Sequence, residues 1–117
     1  MWDIRVGRNA RANDILTWEE SGGRDWFLHA RDSSGPHVVI SDRSDDPPRP
    51  PMDVIARAAR LATGLTTLRC RRCRDGCDVS VVCLVRVEEV CRHRAVGRVI
   101  LPVDVEYVCA HGRTLRS

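Results

Sequence analysis

Lysine is absent: all 19 basic residues of this 117-residue chain are arginine. Against 16 acidic residues they leave a formal net charge of +3, which points to an anionic partner. Guanidinium forks bind phosphate bidentately and stack on bases, as ammonium groups cannot. Aromatic residues are equally scarce, at 4%, so a core has to be built from Val, Leu, Ile and Ala. With 43% hydrophobic and 30% charged residues the chain still belongs with globular domains, not disordered ones. No run approaches the roughly 18 to 20 apolar residues that span a bilayer, so no membrane partner is expected. The start, Met1-Trp2-Asp3-Ile4-Arg5, lacks the apolar core of a signal peptide, so a cytoplasmic protein is expected. Neither a nucleophile elbow, a P-loop nor an HExxH motif is present, and the expectation is binding without catalysis. Six cysteines without a secretory signal suggest reduced thiols or a metal site before disulfides.

The length suits one domain, residues 1–117. Residues 4–7 read as a short strand ended by glycine. Residues 8–18 read as a short helix with Ala12, Ile15 and Leu16 on one side. Residues 26–30 and 37–40 flank the turn-rich stretch 32–36 and predict a hairpin. Residues 41–51, with four prolines and three aspartates, predict a surface loop. From 53 to 63, Val54, Ile55, Ala58, Leu61 and Ala62 recur at helical spacing, with Gly64 as the stop. Residues 78–90 are rich in β-branched residues and predict a long central strand, with Arg86 and Glu88 at its emerging end. Strands at 97–101 and 103–108 follow, the second alternating as a strand with one wet face does. The sum is an α+β domain: a mostly antiparallel sheet packed against one long helix, with a short N-terminal helix.

Two segments carry a family resemblance. They are Val6-Gly7-Arg8-Asn9-Ala10-Arg11-Ala12-Asn13-Asp14-Ile15-Leu16, and Asp25-Trp26-Phe27-Leu28-His29-Ala30-Arg31-Asp32 followed by Gly35-Pro36-His37-Val38-Val39-Ile40. Their order and separation resemble the NFACT-R domain, whose pattern runs roughly V-G-[RK]-N-x-x-x-N-D-x-L and then D-x-W-x-H-x-[RK]-D-x-x-G-S-H-V-x-[IL]. Phe27 stands where that family usually has Trp, and Pro36 replaces its Ser before His37. Ala58-Ala59-Arg60-Leu61-Ala62 and Gly97-Arg98-Val99 also fall where the family has a helix and a G-x-V strand. The resemblance spans residues 4 to 109. It implies RNA binding, with tRNA or ribosomal RNA as the partner class and the large ribosomal subunit as a further partner. Long family members resemble factors of ribosome-associated quality control and carry further domains ahead of this one. A chain opening on the domain at Met1 is expected to be a short, free-standing member.

The candidate RNA-binding residues fall in three groups. Arg8, Asn9, Arg11 and Asn13 cluster at a strand-to-helix junction, where exposed N–H groups favour phosphate; a solvated polar surface is the alternative. Asp14 is assigned to local capping instead. His29, Arg31 and His37 lie on the hairpin and form one patch if the register sets Arg31 against His37. The two histidines either are half-buried and fix the turn, or contact RNA, or serve a metal or catalytic role, and the resemblance raises the second reading. Arg69, Arg71, Arg72 and Arg74 make the densest positive field of the chain.

Interleaved with those arginines, Cys70, Cys73 and Cys77 could join Cys91 or His93 around a zinc ion. The CxxC pair is a reasonable half-site. The three-residue gap to Cys77 is unusual, however, and Cys91 and His93 lie beyond a strand, so free thiols and no cofactor are expected. Cys83 and Cys109 read as core thiols. Two rival readings remain: a protein-interaction adaptor of the translation or stress machinery using a sheet edge such as 103–108, and a small zinc or redox protein centred on the cysteine cluster.

Overall fold

The computed structural model describes residues 2–30, 35–62, 81–92, 94–95, 98–99, 106–109 and 114–115. In chain order they form β1 (Asp3–Val6), α1 (Ala10–Asp14), a π-helical segment (Ile15–Glu20), β2 (Trp26–Ala30), β3 (Val38–Ser41), α2 (Met52–Ala62), β4 (Val81–Arg86), α3 (Val87–Arg92), β5 (Arg94–Ala95), β6 (Arg98–Val99), β7 (Glu106–Cys109) and β8 (Thr114–Leu115). The architecture is α+β. Six strands make one sheet in the order β1-β3-β2-β4-β7-β8, each neighbouring pair antiparallel, and β5 pairs with β6 separately.

Strand alternation sends successive side chains to opposite faces, and here both faces are covered. On one face Leu28, Ala30, Val38, Ile40, Val82 and Leu84 meet α2, whose Ile55, Ala58, Ala59 and Ala62 are fully buried. The three alanines leave no long side chain between helix and sheet, so α2 can lie close against it. On the other face Phe27, Val39, Cys83 and Val85 meet Leu16 of the π-helical segment and Val87 and Val90 of α3. The domain is therefore three-layered around its inner strands.

The proline-rich loop after β3 is tied down over Trp26. The Trp26 indole N–H donates to the carbonyls of Pro47 and Pro48, at 3.3 and 3.0 Å. The Arg86 guanidinium lies 4.0 Å above the Trp26 ring, a cation–π arrangement. Arg24 bridges Asp46 at 2.9 Å and Glu88 at 2.8 Å, joining the loop to α3.

Four expectations change. The central strand stops at Arg86 and does not run to Val90; the Val87 and Glu88 N–H groups donate to the carbonyls of Asp25 and Gly23, each at 2.8 Å, and the chain turns into α3. Glu88 and Glu89 in its first turn suit the positive end of a helix, and Val87 and Val90 share its buried side. The single long helix expected is not found among the described residues: the longest helix, α2, has eleven residues. The N-terminal helix is regular only from Ala10 to Asp14 and then widens into the π-helical segment. Finally, residues 106–109 are no sheet edge, because β7 is paired on both sides, by β4 and by β8.

Candidate functional site

Asn9 opens α1 with extended backbone (φ −157°, ψ 176°), and its Oδ1 accepts the Ala12 N–H at 2.8 Å. That is a side-chain cap of the first helical turn. One turn later Asn13 is buried, and its Oδ1 accepts the backbone N–H of His37 at 3.0 Å. The Gly7 N–H donates to the His37 carbonyl, also at 3.0 Å. His37, in the second resemblance-bearing segment, is thus held through both its backbone N–H and its carbonyl by the first. Gly7 permits this closeness: a Cβ there would lie 2.1 Å from Asn13 Oδ1 and 2.8 Å from the Asn13 backbone.

The side chains around His37 form a compact polar and aromatic cluster. Thr17 Oγ1 is 2.8 Å from His37 Nδ1, and the wide turn of the π-helical segment places Leu16 and Thr17, neighbours in sequence, both in the interior. The His37 ring meets Phe27 edge-on at 5.0 Å and His29 at 5.1 Å, with 6.2 Å between Phe27 and His29. Burial pushes the His37 imidazole down to about 4, helped by the repulsion of His29, so the ring is neutral at pH 7. His29 is half-buried. Its Nδ1 is 3.3 Å from the Pro36 carbonyl, which can only accept, so that bond needs a proton on Nδ1. Cys83, opposite His29 in the β2–β4 register, is a core thiol pushed up to about 12 by burial, which makes it unreactive.

The register differs from the one that would have joined Arg31 to His37. Leu28 pairs with Val38, which sets His29, not Arg31, across from His37. Arg31 lies outside the described residues, as do Arg69, Arg71, Arg72 and Arg74, and Cys70, Cys73, Cys77 and His93. Cys91 is exposed on α3. Among the described residues no three His, Cys, Asp or Glu side chains converge as a metal site would require. Of the N-terminal group, Asn9 and Asn13 are occupied as cap and clamp. Arg8 and Arg11 are exposed, with no ion-pair partner among the described residues. Asp14 accepts the Trp18 indole N–H at 3.2 Å, a local role. Thr17 escaped the sequence reading: a threonine after an apolar helical stripe carries no signal until the turn widens.

No family profile matches the chain, and no curated protein does. Among solved structures it is similar to the C-terminal part of the fibronectin/fibrinogen-binding protein from Streptococcus suis, with a TM-score of 0.69 and 25% sequence identity. The match covers 92% of this chain and 40% of that one, so the chain spans well under half of its structural neighbour.

Proposed function

We propose that this chain is an RNA-binding module of the kind that the NFACT-R resemblance implies, acting on tRNA or ribosomal RNA without catalysis. The observation that carries the reading is the meeting of the two resemblance-bearing segments at His37, through Asn13 and Gly7. Their junction brings half-buried His29 to the side of the domain that carries α1, where Arg8 and Arg11 are exposed and have no ion-pair partner among the described residues. In this reading Arg8 and Arg11 meet phosphates, while His29 stacks on a base or hydrogen-bonds its edge through Nε2. His37, being buried, shapes the cluster and does not touch RNA. Arg69, Arg71, Arg72 and Arg74 add electrostatic attraction, and replacing all four by Gln is expected to weaken binding alike for every RNA.

No side-chain set among the described residues supports turnover. Thr17 and His37 are a hydroxyl and an imidazole in contact, but Thr17 is 1% exposed and out of a substrate's reach. A protein-binding reading has the name of the Streptococcus suis neighbour in its favour, for a chain of which this one spans 40%. Crosslinking in cells followed by sequencing of the co-purifying RNA separates the two. The RNA-binding reading expects enrichment of tRNA or ribosomal RNA that His29→Ala redistributes among species. Recovery of no RNA above background would overturn it.

A further inference from the structure

With β7 paired on both sides, the sheet is bounded by β1 at one edge and by the two-residue β8 at the other. The β1–β3 register pairs Asp3 with Ser41 and Arg5 with Val39, and the Gly7 N–H bond to the His37 carbonyl continues that ladder. Hydrogen bonding alternates along an antiparallel strand. Residues 3, 5 and 7 therefore turn their backbone groups toward β3, and Ile4, flanked by Trp2 and Val6, turns its own outward. Side chains alternate as well: Trp2, Ile4 and Val6 sit partly exposed at the rim of the core beside α2, and Asp3 and Arg5 share the other face.

This four-residue edge is complementary to itself. In an antiparallel pair with a second copy, setting Ile4 against Ile4 places each Asp3 opposite the other chain's Arg5, and each Trp2 opposite Val6. Both outward backbone sets then face each other in hydrogen-bonding register, since every outward residue meets an outward one. A shift of one residue either way, in each chain, brings Arg5 against Arg5 or Asp3 against Asp3, which repel. Arg5 is also incompletely satisfied within its own chain. Its partly exposed guanidinium has Asp3, Glu20 and Asp25 at 3.7 to 3.9 Å, beyond good hydrogen-bond reach.

We propose that β1 is a homodimerisation edge, at which two copies pair antiparallel about Ile4 and join their six-stranded sheets through reciprocal Asp3–Arg5 contacts. The occupant is a second copy because the charges of this strand match those of its own reverse. So short an edge buries less than a standard interface, and the dimer is weak, with a Kd on the order of 100 μM. The proposal is independent of RNA binding, since it uses neither Arg8, Arg11 nor His29.

Sedimentation equilibrium of the full chain, from about 10 μM to about 1 mM, tests it. The mean mass is expected to rise from 13.2 kDa toward twice that value. Asp3→Arg and Arg5→Asp should each weaken self-association about tenfold or more, by turning two attractive cross-strand pairs repulsive. Mixing the two variants should restore association as a heterodimer, which no other surface would produce. If Arg5→Asp does not fold, Ile4→Pro serves, because it removes an outward N–H that β3 does not use. A mass that stays at one chain at every concentration overturns the proposal. So does a dimer that survives Asp3→Arg or Ile4→Pro, or pairing of β1 with an extended peptide in place of a second copy.

Discussion

His37 has an imidazole that folding holds neutral, and its cost appears as pH falls. Its pKa lies near 4 when folded and near 6.5 when unfolded, so between those values the unfolded chain binds more protons and stability rises with pH. The contribution is complete above about pH 6.5, shrinks as pH falls toward 4, and amounts to at most about 3 kcal/mol over that window, since solvent screens part of the effect. Urea unfolding at pH 7 and pH 4.5 should show the wild type losing more stability than His37→Gln, which has nothing to titrate there. An equal loss in both would place the proton elsewhere. Beside it, Asn13→Ala leaves the buried His37 N–H without its acceptor and is expected to destabilise by about 1 to 3 kcal/mol in the same assay. Both asparagines were legible as polar residues at a helix start, but not as cap and clamp. The partner of Asn13 lies 24 residues away, and only the closed fold identifies it.

The elements were legible where one period ruled. The apolar spacing at Ile55, Ala58 and Ala62 marks α2, and short apolar runs on either side of a turn-rich stretch mark β2 and β3. Where two periods overlap, the reading failed: Val85, Val87 and the following residues continue a β-rich composition, yet Val87 and Val90 are three apart and belong to a helix. Register was also invisible, because a two-residue shift in the pairing, which leaves every side chain on the same face, decides whether Arg31 or His29 faces His37. The π-helical widening after Asp14 leaves no compositional trace. The packing of α2 makes its own prediction. Ala58 is fully buried against the sheet, so Ala58→Leu overfills the layer and should lower stability by about 1 to 3 kcal/mol, whereas Arg57→Ala, one residue away and exposed, should change it by less than about 0.5 kcal/mol. Thermal unfolding of the two variants checks this, and equal shifts would contradict the layer as described.

For the whole molecule, the three layers separate two surfaces. The sheet carries α2 with exposed Arg57 on one face, and the α1 side with Arg8, Arg11 and His29 on the other. A domain with a net charge of only +3 cannot bind RNA tightly by bulk attraction, so the proposed contacts have to be local. The most direct test is the salt dependence of affinity for a tRNA, measured for the wild type, for Arg8→Gln/Arg11→Gln and for Arg57→Gln. If Arg8 and Arg11 each meet a phosphate, the double variant should flatten the plot of log affinity against log salt by about 1.4 to 1.8. Arg57→Gln, on the opposite face, should leave the slope unchanged. An unchanged slope in the double variant with a flattened one in Arg57→Gln would move the interface to the α2 face, and a wild type that binds no RNA at low salt would contradict the RNA-binding account itself.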